Sequence, residues 1–346
     1  MPAEGSRKAA QLLCAKRSIC EALWSGKRSR LGTVKLLLQA SRFAAEHQDA
    51  ALVTVVATSG STPRHPGTRM LVAGDGTQLG TIGGGRIEFE LVTVGREVAV
   101  GGPARLVKHN LVQDLSMCCG GTMEVYVERL APCLEAISKV IARHVRRQHS
   151  VLVTSIVGGG KTVCPVDESA TYPRMQDEQF MELIAPAPRV LLFGCGHLAR
   201  ALGPLAKTLD FDVIICDDNE TGAIDECPEW ASDWVSSFAL IDIEARVGGL
   251  GAGDYLLVVT RDHGIDETIV ESALPRVSEF EYLGLIGSMG KVGRFRKRIL
   301  AKGAVTEDQW KSLHAPLGLD IAAETPQEIA VSIMAELVAI KNRANR

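Results

Sequence analysis

Cys118 and Cys119 stand side by side in Ser116-Met117-Cys118-Cys119-Gly120-Gly121, just ahead of the strand-like run 122–127. Adjacent cysteines do not readily form a disulfide with each other, because closing so small a ring strains both the peptide and the bridge. They do not fit a structural zinc site either, whose ligands come as spaced pairs with a second pair elsewhere. Two uses remain open. The pair is either a thiolate site, suited to a soft metal or to carrying a persulfide sulfur, or two packed small residues. Glycine amides beside a thiol favour the thiolate and leave it accessible.

Three other stretches carry chemistry. Residues 59–69 are dense in glycine, serine and proline yet include Arg64, His65 and Arg69, which makes a loop with charge available. Gly83-Gly84-Gly85-Arg86-Ile87-Glu88 follows a predicted hairpin and opens a predicted helix, so its glycines allow a ligand to approach the backbone closely. Gly194-Cys195-Gly196-His197-Leu198-Ala199 follows the apolar run 189–193 and precedes a helical pattern, with Asp217 and Asp218 about 20 positions further on. That is the dinucleotide-fold fingerprint, in which the turn takes a phosphate and an acid takes ribose hydroxyls. Near the next predicted helix start, Gly287 and Ser288 offer backbone amides for a phosphate, whereas Arg296 to Arg298 read as a solvated helix face. The fragment Gly158-Gly159-Gly160-Lys161-Thr162 imitates the end of a phosphate loop. Ser155 stands where the first glycine should be, however, and no helix pattern follows, so a hairpin turn is expected.

The elements that must position these groups follow from periodicity. A helix over 31–47 leads into a strand over 51–57; strands over 70–73 and 78–82 form a hairpin; a helix runs to about 100. A helix near 134–148 precedes a strand over 151–157. Ala185-Pro186-Ala187-Pro188 favours an extended connector. Beyond it, runs at 213–216, 255–260 and 282–286 read as buried parallel strands. Thr325-Pro326-Gln327-Glu328 reads as a helix start, and Ile329, Ile333, Leu337 and Ile340 as its apolar stripe. The expected class is therefore α/β, with an N-terminal α+β domain over 31–184, a linker over 185–188, and a Rossmann-like doubly wound parallel-sheet domain over 189–346.

Composition narrows the function classes. A net charge of −3 makes no general case for nucleic acid; only residues 1–30 are basic, and they read as a flexible arm. No apolar run approaches the roughly 18 residues that span a bilayer, and no signal-peptide core is present, so a cytoplasmic protein is expected. The nine cysteines lack framework spacing and are expected to be mostly reduced.

Taken in order, Gly60-Ser61-Thr62-Pro63-Arg64, Gly80 to Glu88, Cys118 to Gly121, and His314-Ala315-Pro316-Leu317-Gly318-Leu319-Asp320 with Glu324 to Ala330 give a further signal. Around a Rossmann turn they resemble the XdhC/CoxI family, accessory proteins for molybdenum-containing hydroxylases, and its xanthine dehydrogenase branch in particular. The resemblance covers about residues 48–340. One departure is Arg261, where relatives carry histidine. The resemblance implies a non-catalytic chaperone that binds molybdenum cofactor (molybdopterin) and protects it during sulfuration. Its partners would be a cysteine desulfurase, molybdenum cofactor biosynthesis proteins and an apo xanthine dehydrogenase, with homo-oligomers possible. It would place Cys118 or Cys119 against the metal, the loops of Arg64, Gly83, Gly84, Gly85, Glu88, Gly120 and Gly121 around the pterin, and Gly194, Gly196, His197, Asp217 and Ser288 at the phosphate or nucleotide end. The competing class, motivated by the Rossmann turn alone, is an NAD(P)-dependent oxidoreductase; a ligand-free scaffold is the third.

Overall fold

The structure, a computed structural model, describes residues 33–115, 120–167, 169–221, 224 and 226–343. The basic arm over 1–30 and the Cys118–Cys119 pair lie outside the described residues. The chain divides into two compact units, the first ending at Ala185 and the second starting at Pro186.

In the first unit, α1 (Thr33–Glu46) leads into β1 (Ala50–Ser59), followed by β2 (Arg69–Ala73), β3 (Gln78–Gly80), α2 (Gly85–Ala99), β4 (Arg105–Asn110) and β5 (Thr122–Arg129). The five strands form one antiparallel sheet in the order β3-β2-β1-β5-β4. Side chains alternate between the faces of a strand, yet here both faces are buried. Val53, Val55 and Val125 pack against Ile87 and Leu91 of α2, whereas Leu52 and Leu71 pack against Leu36 and Leu37 of α1. On that second side also lie α3 (Leu134–Val145) and a four-stranded antiparallel sheet, order β7-β6-β9-β8, made of β6 (Ser150–Ser155), β7 (Lys161–Cys164), β8 (Arg174–Gln176) and β9 (Gln179–Ile184).

The expected strand over 151–157 stops at Ser155 because the chain turns back there. The Ser155 amide donates to the Gly160 carbonyl at 3.1 Å, and Thr154 pairs with Lys161 in register. The phosphate-loop look-alike is thus a hairpin turn, and Lys161 points inward. Its ammonium donates to Thr154 Oγ1 at 2.6 Å and pairs with Glu128 Oε1 at 2.8 Å. Arg69 pairs with Glu182 beside it. Burial pulls the Arg69 guanidinium down to about 10 and the Lys161 ammonium below its ordinary value, with Glu128 opposing both shifts. Unpaired, each of these charges would be costly inside the protein; paired, they join the two sheets.

The second unit contains β10 (Arg189–Phe193), α4 (His197–Thr208), β11 (Asp212–Cys216), β12 (Asp233–Val235), α5 (Leu240–Val247), β13 (Asp254–Val258), α6 (His263–Ala273), β14 (Tyr282–Leu285), α7 (Met289–Ala301), α8 (Glu307–Lys311) and α9 (Pro326–Arg343). The five strands are parallel, in the order β12-β11-β10-β13-β14. Helices cover both faces: α4 and α9 pack over Val190 and Leu192, and α5, α6 and α7 over Leu191 and Phe193. This is the doubly wound architecture. Burial on both faces explains why these strands read as unbroken apolar runs. The apolar stripe of α9, expected to suit a domain or subunit contact, is spent inside this unit against Leu202 and Ala206 of α4.

Candidate functional site

In the first unit, pairing register brings the chemically marked loops to one sheet edge. Ser59 at the end of β1 faces Thr122 at the start of β5, Arg69 opens β2 opposite Thr54, and Gly80 closes β3 opposite Met70. Loops 60–68 and 81–84, together with Gly120 and Gly121, therefore emerge together. They touch. A β-carbon added at Gly121 would lie 2.5 Å from the carbonyl oxygens of both Ser59 and Ser61, and one added at Gly83 would lie 2.7 Å from Pro63 Cγ.

Glu88, one turn into α2, organises the glycine loop. Its carboxylate accepts hydrogen bonds from Thr81 Oγ1 at 2.5 Å, the Ile82 amide at 3.1 Å and the Gly84 amide at 2.9 Å. A carboxylate at this point also suits the positive end of the helix. Glu88 thus shapes the loop, and the surfaces left to a ligand are backbone. No atom lies within 4 Å of a β-carbon built at Gly84 or Gly120. Gly85 and Gly120 are exposed. Beside them Arg64 is half-buried, and its Nε is shielded from solvent without a hydrogen-bond partner. A cation with an unused buried donor beside open glycine backbone has the chemistry to receive a polar, anionic, flat ligand, so these residues fit a molybdopterin. Cys119 is bonded directly to Gly120, which puts its Cα about 3.8 Å from that glycine's.

The free cysteines among the described residues show what a packing role looks like. Burial raises the thiols of Cys133, Cys195 and Cys216 above their ordinary range, which makes them packing residues. Among the described residues, no group of three or more metal-ligating side chains comes together.

In the second unit, the glycine turn sits at the carboxyl end of the central strand. Gly194, at φ 108°, lets β10 lie against β13: a β-carbon there would be 2.8 Å from the Val259 carbonyl oxygen. Gly196 is exposed with open space above it and precedes α4, whose first turn has no side-chain cap; His197 is exposed on that turn. The helix start is thereby left free to face an anion. Asp217 is 4% exposed, and its carboxylate accepts the Cys195 amide at 2.8 Å and the Asn219 amide at 2.7 Å. It fastens the turn to the end of β11. Asp218, next in sequence, instead reaches outward to Arg261.

At the next helix start, Ser288 is the side-chain cap of α7, accepting from the Lys291 amide. Room at Gly287 is filled by the Lys291 side chain, whose Cδ would be 2.6 Å from an added β-carbon. Lys291 is 5% exposed; its ammonium pairs with Asp266 and donates to the Ile286 carbonyl. The expected phosphate approach at Gly287 is thus occupied by a lysine stem. Arg296 and Arg298 are half-exposed, as read from sequence. Lys291 was not distinguishable from them by charge; only the i, i+4 spacing from Gly287 hinted at it.

The signature around His314 has a structural reason. Glu336 of α9 accepts from Tyr282 Oη at 2.7 Å and the Gly318 amide at 2.8 Å, and its carboxylate meets His314 Nδ1 at 2.7 Å. These bonds hold the 314–318 segment along the edge of β14.

The fold and loops define a two-unit protein whose second half is a Rossmann domain. Residues 190–337 match the XdhC Rossmann domain family and residues 43–110 the XdhC and CoxI family. The chain belongs to the XdhC/CoxI family. It is 27% identical over 318 residues to the "uncharacterized protein YqeB" of Escherichia coli (strain K12), a match covering 90% of this chain but 47% of YqeB; the chain spans about half the length of that relative. It is 26% identical over 341 residues to a probable xanthine dehydrogenase subunit of Bacillus subtilis (strain 168), covering 86% of this chain and 95% of that protein. A crystal structure of a protein from Bacillus halodurans described as a xanthine dehydrogenase superposes with a TM-score of 0.73, covering 91% of this chain and 97% of that one. At 22% identity that likeness is one of fold. Among the described residues, no helix is long and apolar enough to cross a membrane.

Proposed function

We propose that this chain is a xanthine dehydrogenase accessory protein. It binds molybdenum cofactor, shelters it while a cysteine desulfurase supplies its sulfido ligand, and hands it to apo xanthine dehydrogenase or a related molybdenum hydroxylase. The observation that carries the reading is the edge of the first unit, where Arg64 Nε is buried without a partner beside the open backbone of Gly84 and Gly120. Membership of the XdhC/CoxI family and the name of the Bacillus subtilis relative support it.

Each group has a task that its chemistry suits. Arg64 supplies a positive charge and directional N–H donors to an anionic or carbonyl edge of the pterin. Glu88 holds the 81–84 loop in shape, so the backbone that meets the ligand is pre-formed. Cys118 or Cys119, carried by the segment that enters Gly120, presents a thiolate to the soft metal end and keeps competing thiols and water away from it. When bound, the cofactor supplies a dithiolene-held molybdenum centre and a phosphate; the Gly194 to His197 turn of the second unit takes a phosphate or nucleotide end. No substrate turnover is assigned to the chain.

The test is transfer. The full chain is loaded with molybdenum cofactor, cofactor retained after gel filtration is quantified, and recovery of apo xanthine dehydrogenase is followed. Replacing Cys118 and Cys119 by alanine, singly and together, is expected to cut retention and transfer at least about tenfold in the double variant. A double variant that retains and transfers cofactor as wild type does removes the thiolate assignment. Tight NADPH or NADH binding with no retention of molybdenum cofactor would instead favour the oxidoreductase reading.

A further inference from the structure

Asp218 lies one residue beyond the end of β11, and Arg261 three residues beyond the end of β13. In the sheet these two strands flank β10. The ion pair between them therefore ties together the loops on either side of the Gly194–Gly196 turn. Arg261 Nη1 lies 3.0 Å from Asp218 Oδ1, Nη2 lies 3.2 Å from Asp218 Oδ2, and the same Nη2 lies 2.7 Å from Glu220 Oε2. This is also the switch point, since the chain leaves β10 toward β11 and returns on its other side at β13, which is where doubly wound sheets take their ligands.

Two acids follow β11, and they are not equivalent. Asp217 is buried and spent on the Cys195 and Asn219 amides, so it has no capacity for a ribose. Asp218 is partly exposed, and what it holds is a side chain able to swing away. An ion pair exposed to about this degree is weak. A vicinal ribose diol, which offers two hydroxyl donors to one carboxylate, competes well with it. A 2′-phosphate does not, because it would bring negative charge against Asp218 and Glu220 with Arg261 already shared between them.

We propose that Asp218 is the ribose acceptor of a nucleoside diphosphate site at the switch point of the second unit, and that Arg261 is a specificity-determining latch. The latch occupies Asp218 when the site is empty and releases it to an unmodified ribose diol. The ligand class is a nucleoside diphosphate compound with free 2′ and 3′ hydroxyls. The inference rests on the assignment of the Gly194–Gly196 turn to a phosphate or nucleotide end, and it is independent of molybdenum.

Metal-free probes test it on the full chain, by calorimetric titration at fixed salt with ADP-ribose, NADH, NADPH and inorganic pyrophosphate. ADP-ribose and NADH are expected to bind at least about tenfold more tightly than NADPH or pyrophosphate. Asp218→Ala and Asp218→Asn are each expected to weaken NADH at least about tenfold; the asparagine keeps an acceptor for the Glu220 amide, which separates loss of the diol contact from loss of the loop. Arg261→Ala is expected to tighten NADH by about two- to fivefold, the reciprocal of the latch it removes. NADPH binding as tight as NADH, pyrophosphate binding as tight as ADP-ribose, no probe binding at millimolar concentration, or weaker NADH binding in Arg261→Ala would each overturn the proposal. Adenine-free ligands are covered by adding GDP: equal binding of GDP assigns a base-tolerant ribose diphosphate site, and preference for ADP-ribose assigns an adenine compound. Failure of these probes to bind leaves the cofactor-transfer test at the first unit standing, and a failed transfer test leaves this one standing.

Discussion

Gly120 and Gly121 are identical in type and adjacent in sequence, yet a methyl group added to each meets opposite surroundings. At Gly121 it would lie 2.5 Å from two carbonyl oxygens, Ser59 and Ser61, and 2.7 Å from Thr62 Cγ2. Ordinary contacts between such atoms begin near 3.4 Å, so either β1's last residue or the start of β5 has to move by most of an ångström. The Ser59–Thr122 pairing and the bond from the Leu111 amide to the Gly121 carbonyl, 2.9 Å, resist that movement. Overpacking of this kind costs about 1–3 kcal/mol. At Gly120 the same methyl group meets nothing within 4 Å, and the residue is exposed, which puts its substitution within about 0.5 kcal/mol of neutral. With a urea slope of about 2 kcal/mol/M, Gly121→Ala is expected to lower the unfolding midpoint of the first unit by about 0.5–1.5 M, and Gly120→Ala to leave it in place. The assay is urea denaturation of the full chain followed by a probe in each unit. Equal midpoints for the two variants, or a larger loss at Gly120, would refute the contact geometry on which the loop cluster depends.

Two further outcomes follow from buried charge. Lys161→Met leaves the Glu128 carboxylate, 3% exposed, without its cation and is expected to destabilise the first unit by about 3–5 kcal/mol; pairing it with Glu128→Gln should recover a large part, and a neutral single variant would contradict the burial. Burial alone would raise the Glu336 carboxyl, but hydrogen bonds from His314, Tyr282 and the Gly318 amide outweigh it and hold it below its ordinary value. A lowered carboxyl stabilises the fold above its unfolded value and loses that contribution as pH falls through the folded one. Amide exchange in 314–318 should therefore be slow at neutral pH and speed up below about pH 4.5, and Glu336→Gln should remove that pH dependence. No change in protection between about pH 6 and about pH 3.5 would sink the assignment.

Much of the second unit was legible in sequence because its signals are local. An apolar run, a glycine turn and a helical pattern in succession specify a βαβ unit, since strands buried on both faces need no alternation. The capping threonine and glutamate at 325 and 328 likewise bond within four residues, Thr325 N to Glu328 Oε2 at 2.9 Å and Glu328 N to Thr325 Oγ1 at 3.3 Å. The hairpin at 155–161 was readable from what it lacks, a helix after its glycines.

Sequence by itself also determined which residue types are available for chemistry: a thiol pair, three glycine-rich turns and an arginine in a loop. Only tertiary structure decided which of them meet and which are spent on the fold. Strand register placed Arg64, Gly83 and Gly121 at one sheet edge although residues 65–120 separate the first of them from the last. It buried Lys161 beneath a second sheet and filled the space at Gly287 with a lysine stem. It also turned Asp217 inward onto the glycine turn and left Asp218 facing Arg261. The reason is that consecutive strand residues point to opposite faces, so a one-residue difference that is invisible in composition decides whether a carboxylate serves the fold or faces a ligand.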